Sequence, residues 1–221
     1  MADTENEEIP QEYVKIYLLT KLTPSEEANY LKAISEPVDG FDDSWLHPQL
    51  VEWTSKTDGT LEKDMLHLYK KREAEREREY NAFYYFADRK SVDEGSTILV
   101  DRDFGTSELV KEAGELLFKL ASDNGIELPA VDWSNMDDEL EGLVGEMVSW
   151  GVAWGRERGP SWKSSWTNLD IGNMNIIELV ELHGGEVKLL MDPDWDCESL
   201  LTRLRTYSVK TRENELQAEH D

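Results

Sequence analysis

The residues best suited to chemistry close an apolar run: Ile98-Leu99-Val100 is followed at once by Asp101-Arg102-Asp103. Two carboxylates at a strand end are the candidate catalytic pair, Asp101 and Asp103. A second candidate is the stretch 150–166, where Trp154, Trp162 and Trp166 interleave with Arg156, Arg158 and Lys163. Indoles beside cations can hold an anionic ligand or a partner through cation–π contacts, which makes these six residues the candidate ligand or partner surface. The competing expectation is that the indoles fill a core edge while the arginines pair with the protein's own carboxylates. Asp192, Asp194 and Asp196 have the opening spacing of a calcium loop. Cys197 stands where that loop needs glycine and Arg203 where it needs glutamate, so a dedicated metal site is not expected there.

The Asp101-Arg102-Asp103 pattern resembles the first motif of haloacid-dehalogenase-like phosphotransferases, and also the metal-binding Asp-x-Asp of some glycosyltransferases. The first resemblance implies that one aspartate attacks phosphorus, the other protonates the leaving group, and Mg²⁺ lies beside both. The continuation Phe104-Gly105-Thr106 departs from that motif, and no later strand-end set completes the site. The plainer expectation is a pair of solvated loop residues. Asp103-Phe104-Gly105 matches a kinase tripeptide by letters alone, because no glycine-rich or catalytic loop accompanies it.

These side chains must be positioned by a mixture of strands and helices. Residues 13–20 are rich in β-branched and aromatic types and read as a strand. Thr23-Pro24-Ser25-Glu26 is a capping box with proline at the first helical position, predicting a helix to about Ile34. A loop bearing Trp45 and Trp53 is expected next. Residues 60–79 read as a helix whose outer face carries mixed charge. Residues 82–87 and 97–100 are nearly continuous apolar runs, read as adjacent strands with one or both buried on both faces. Helical spacing recurs over 107–124 and 135–150, with Ser134 as a candidate cap and Gly142, Gly145 and Ser149 permitting close packing. Residues 154–166 read as a breaker-rich connection. A short helix (175–183), a strand (186–191) and a last helix (198–207) complete the expectation. The fold class is α+β (mixed α/β): one central sheet with flanking helices and a helical insertion. An acidic arm, expected to be disordered, occupies 1–12; a single domain 13–207, with the insertion at about 105–150; and a polar tail 208–221.

Forty-eight acidic against 23 basic side chains give a net charge of −25 over 221 residues. That balance excludes binding to nucleic-acid backbones and anionic membranes. Residues 101–160 hold 14 acidic against 5 basic side chains, whereas 61–80 are balanced at 6 and 6. With 39% apolar residues and eight tryptophans, the chain has enough apolar surface for a core. One cysteine, Cys197, excludes an internal disulfide, and His47, His67, His183 and His220 are too scattered for a cysteine–histidine zinc site. No secretory signal or run long enough to span a bilayer is present, so a cytoplasmic location is expected.

Three stretches in order resemble a family of small acidic proteins, common in bacteria and known as a domain of unknown function. They are the opening strand and helix ending in Pro37-Val38-Asp39-Gly40-Phe41; Phe83-Tyr84-Tyr85-Phe86-Ala87-Asp88-Arg89 with residues 97–100; and Asn168-Leu169-Asp170-Ile171-Gly172-Asn173-Met174-Asn175. The resemblance implies a fold and brings no reaction, cofactor or catalytic residue. In the last stretch Leu169, Ile171 and Met174 can point inward, while Asn173 can cap the following helix. Asp88 and Arg89 can form a paired charge. The expected function is a soluble acidic domain that binds a protein partner, basic in character, without catalytic activity. One alternative is a metal-dependent phosphotransferase, hydrolase or glycosyltransferase-like enzyme using Asp101 and Asp103. Another is a DNA-mimicking inhibitor. No cofactor is expected; Mg²⁺ enters only with the enzyme alternative. The sequence sets no oligomeric state.

Overall fold

A computed structural model describes residues 11–37, 44–52, 61–75, 83–101, 109–131, 133, 136–149, 151–170, 174–191 and 197–218. Asp103, the loop aspartates 192, 194 and 196, Ser134, Asn173 and the arm through residue 10 lie outside them. In chain order the elements begin with β1 (Glu12–Leu18), α1 (Pro24–Ile34), β2 (Leu46–Glu52), α2 (Leu61–Glu75), β3 (Phe83–Ala87), α3 (Arg89–Glu94) and β4 (Ser96–Asp101). They continue with α4 (Val110–Asp123), α5 (Asp138–Ser149), β5 (Gly151–Arg158), α6 (Ser161–Asp170), α7 (Ile176–Leu182), β6 (Val187–Met191) and α8 (Glu198–Ala218). The strands form one mixed sheet in the order β2-β1-β3-β4-β5-β6, an α+β fold. Among the described residues no helix is long and apolar enough to cross a membrane.

The chain divides into two compact units, Met1–Asp103 with Trp154–Val187, and Phe104–Ala153 with Lys188–Asp221. In the first, β1 lies parallel to both β2 and β3, an arrangement that needs crossover connections, which α1 and α2 supply. The Thr23 box forms as expected: the Thr23 amide donates to Glu26 at 2.7 Å and the Glu26 amide donates to the Thr23 hydroxyl at 3.3 Å. β3 and β4 are antiparallel, Phe83 opposite Asp101. Every residue of β4 is buried, Ser96, Thr97 and Asp101 as well as the apolar run Ile98-Leu99-Val100 that was expected to be covered on both faces.

The strand β2 replaces the expected Trp-bearing loop. Pro48 argues against a strand because it has no amide to donate, yet β2 is an outer strand, where one missing donor is tolerated. The polar stretch after β3 is also not a plain loop. Asp88 caps the short helix α3, accepting from the Ser91 amide at 2.7 Å, and Gly95 ends it at φ 64°, a left-handed position that suits glycine. The breaker-rich connection is strand β5 followed by helix α6; Gly159, at φ 53°, turns the chain between them. Asn175 caps α7 through a complete box with Glu178.

In the second unit α5 packs against α4 and α8, and Leu140, Leu143, Val144, Leu200 and Leu204 are all buried. The expected polar tail from residue 208 is the continuation of α8, which buries Tyr207 and Ser208 before its outer turns. A row of polar contacts flanks this core. Arg203 pairs with Glu146, Lys210 with Glu139 and Arg212 with Glu127, while the Tyr207 hydroxyl donates to Asp137 at 2.9 Å. The ion pairs are largely exposed and screened by water, so each contributes little, against about 2 kcal/mol for each buried leucine. The leucines hold α8, and the charges select its register.

Asp137 also caps α5. The Leu140 amide, donating at 2.8 Å, and the Tyr207 hydroxyl hold its carboxyl below the usual range against the opposing effect of burial. Burial, then the bond to Asp137, pushes the Tyr207 hydroxyl up to about 12. A raised phenol stabilises the fold fully below its unfolded value of about 10 and loses that contribution as pH rises through the folded one. Tyr207→Phe is therefore expected to cost about 1–2 kcal/mol at neutral pH in urea unfolding, a gap that narrows above about pH 10. A gap that stays constant to high pH would show that the hydroxyl bond is not its source.

Candidate functional site

Consecutive residues of a strand point to opposite faces, so Arg156 and Glu157 of β5 deliver one charge to each side of the sheet. The Arg156 guanidinium meets Asp88 bidentately, 3.0 Å to Oδ1 and 2.9 Å to Oδ2, and also donates to the Ser91 and Ser96 hydroxyls. Burial pushes the Asp88 carboxyl up, but Arg156 and the Ser91 amide and hydroxyl more than offset this and hold it below the usual range. Arg89, the neighbour of Asp88, pairs instead with Glu26 at 2.7 Å. Both members of the expected Asp88–Arg89 pair are thus paired, with different partners.

Glu157 faces the other way and is fully buried. Its Oε1 accepts from the Ser165 hydroxyl of α6 and lies 3.5 Å from His183 Nδ1 at the end of α7. Among the described residues, Glu157 Oε2 and His183 Nδ1 have no hydrogen-bond partner. Tyr85 shares this environment: burial, then the charges of Glu157 and Asp101, push its hydroxyl well above the ordinary range. That hydroxyl donates to the Trp162 carbonyl at 3.1 Å. A serine–histidine–acid relay needs the imidazole between hydroxyl and carboxylate. Here the carboxylate is in the middle and the hydroxyl is fully buried, so this order does not activate Ser165.

Asp101 is the last residue of β4, 3% exposed, and not the solvated loop residue of the plainer expectation. Two acids near one tyrosine form an acidic interior patch; among the described residues no three His, Cys, Asp or Glu side chains group as a metal site.

The six residues of the expected partner surface are placed differently. Trp162 is wholly buried, and its indole donates to the Ile34 carbonyl at 2.8 Å. Trp154 and Trp166 are buried too, Trp166 edge-on to Trp45 with ring centres 5.7 Å apart. Lys163 is 3% exposed and donates to the Ser35 and Glu36 carbonyls, where the negative end of α1 favours a cation. With Arg156 engaged by Asp88, only Arg158 is exposed. The reason is the α6 helix: it sets Trp162 and Lys163 at the end of α1 and Trp166 against Trp45 instead of looping outward. The interior Glu157 and Ser165 were not singled out in the sequence, and His183 only as one of four scattered histidines. Their one visible signal is a charged pair, Arg156-Glu157, directly after the apolar Val152-Ala153-Trp154.

No protein-family model, curated protein or solved structure matches the chain.

Proposed function

We propose that the protein is an acidic interaction domain whose second unit holds a basic, helical segment of a partner protein along the outward face of α5. The observation that carries this reading is the composition of that face. Asp138, Glu141, Gly142, Gly145 and Ser149 are all exposed and fall on one stripe. Glycine inside a helix costs about 0.5–1 kcal/mol relative to alanine. Neither glycine recovers this through packing on the described residues: a Cβ on Gly145 would meet none of them within 4 Å, and one on Gly142 only the tip of Arg203 at 4.0 Å. The close packing expected from the sequence at these glycines is therefore not supplied by the described residues. A partner helix approaching the bare backbone accounts for both positions, and the flanking carboxylates favour a cationic one. The surrounding residues 104–153 carry 11 acidic and 2 basic side chains, which supports the same sign of partner.

Gly145→Ala is expected to raise stability by about 0.5–1 kcal/mol, since it removes backbone entropy from the unfolded chain and meets no obstacle. Urea unfolding checks this, and a loss of stability would mean that the glycine is needed by the fold itself. The function is tested with a synthetic lysine- and leucine-rich amphipathic helix, titrated by fluorescence anisotropy. Binding should weaken with salt and fall at least about tenfold in Gly142→Leu/Gly145→Leu, which blocks the stripe on a folded chain. Equal affinity in that variant would overturn the proposal. Mg²⁺-dependent hydrolysis of a phosphate ester that vanishes in Asp101→Asn would replace it with the enzyme reading.

A further inference from the structure

We infer that the outer half of α8 is a homotypic contact, on which a second copy of this chain lays its own α8 antiparallel across Val209. Among the described side chains from Val209 onward only Thr211 is even half-buried, so the last turns of this 21-residue helix receive almost no packing from the described residues. Helical turns that bury no face are marginal by themselves in water. Four large hydrophobic side chains are exposed among the described residues, and two of them are here, Val209 at 58% and Leu216 at 58%. They are seven apart and share one stripe, on the side away from the buried Leu200, Leu204 and Tyr207.

The charges beside that stripe identify the occupant. Arg205 stands four residues before Val209 and Glu213 four residues after it; both are exposed, and neither enters an ion pair among the described residues. A two-fold axis through Val209 sets each residue ahead of it against its mirror position on the partner. Arg205 of one copy then meets Glu213 of the other, twice, while Val209 meets Val209 and Leu216 meets Thr202. Isologous contacts require such self-complementarity, and an unrelated partner would not. The patch is small, so association is weak and concentration-dependent. It is independent of the α5 face.

Sedimentation velocity across the micromolar to low-millimolar range tests this, at about 0.15 M salt, where repulsion between the two acidic chains is screened beyond about 8 Å. The wild type is expected to shift reversibly from monomer to dimer. Val209→Asp and Leu216→Glu, both at exposed positions, should weaken association at least about tenfold while leaving the thermal melt unchanged. Arg205→Glu alone and Glu213→Arg alone each place like charges in contact and should be monomeric. Mixed together, the two variants should form a heterodimer, and the double variant Arg205→Glu/Glu213→Arg should self-associate again. A wild type that stays monomeric throughout, a dimer indifferent to Val209→Asp and Leu216→Glu, or charge variants that mixing does not rescue would each overturn the inference.

Discussion

Trp162→Ala is expected to destabilise the first unit by about 4 kcal/mol, the upper range for loss of a buried aromatic. Trp162 is wholly buried, and three connections pass through it. Its indole donates to the Ile34 carbonyl at 2.8 Å, tying α6 to the last turn of α1. Its ring stands edge-on to Tyr85, centre to centre 6.0 Å, and its own carbonyl accepts the Tyr85 hydroxyl. Truncation removes the ring's apolar burial, leaves a cavity, and strips Ile34 of a donor in a buried setting. Trp162→Phe separates these effects. It refills most of the volume and loses the indole bond, so about 1–2 kcal/mol should remain. Trp166→Ala provides the contrast: Trp166 is 8% exposed and stands edge-on to Trp45, so its removal should cost less. Equilibrium urea unfolding of the three variants decides the order. If Trp162→Ala and Trp166→Ala unfold at the same urea concentration, the bond to α1 adds nothing to burial.

Arg156→Met should cost about 3 kcal/mol at neutral pH, near the lower limit for breaking a buried pair, because both partners retain some exposure. The substitution keeps the stem's packing and leaves the half-buried Asp88 with the Ser91 amide and hydroxyl. The pH dependence identifies the source of the loss. In the wild type the Asp88 carboxyl is held below its unfolded value, so its contribution is present above the ordinary carboxylate range and lost as pH falls through the lowered value. The gap between wild type and Arg156→Met should therefore close in acid, where Asp88 is protonated in both. Asp88→Asn/Arg156→Met should recover part of the loss at neutral pH, because the stranded charge is gone. A double-mutant cycle yielding no coupling would show that Arg156 acts by packing and not by pairing.

How much of this was legible in the chain varies from element to element. The α1 capping box, the adjacent strands β3 and β4, the cores of α4 and α5, and β6 follow from local periodicity and terminal residue types. Each is a signal carried within a few neighbours. β2 was hidden by Pro48, whose cost depends on whether its strand is inner or outer, a property of the whole sheet. β5 and α6 were hidden by Gly155, Gly159 and Pro160, which break local patterns. Gly155 is there because a Cβ would stand 2.7 Å from the Val180 side chain, a neighbour 25 positions away. Asn175, not Asn173, caps α7, and the boundary error is of the kind that caps resolve only once the turn is built.

The candidate site shows the same division. Acidity, the lack of cysteine pairs and the aromatic–cationic clustering at 150–166 are properties of composition and spacing, and they were legible without coordinates. Whether an indole or an arginine faces water or the interior was not. Burial is settled by what lies across from a side chain, and Ile34, Asp88 and Val180 come from distant parts of the chain. Residue types dictated helices, strands and charge, because those depend on near neighbours and on totals. Folding alone buried Trp162, paired Arg156 with Asp88 and enclosed Glu157, because each required a partner that chain order keeps far away.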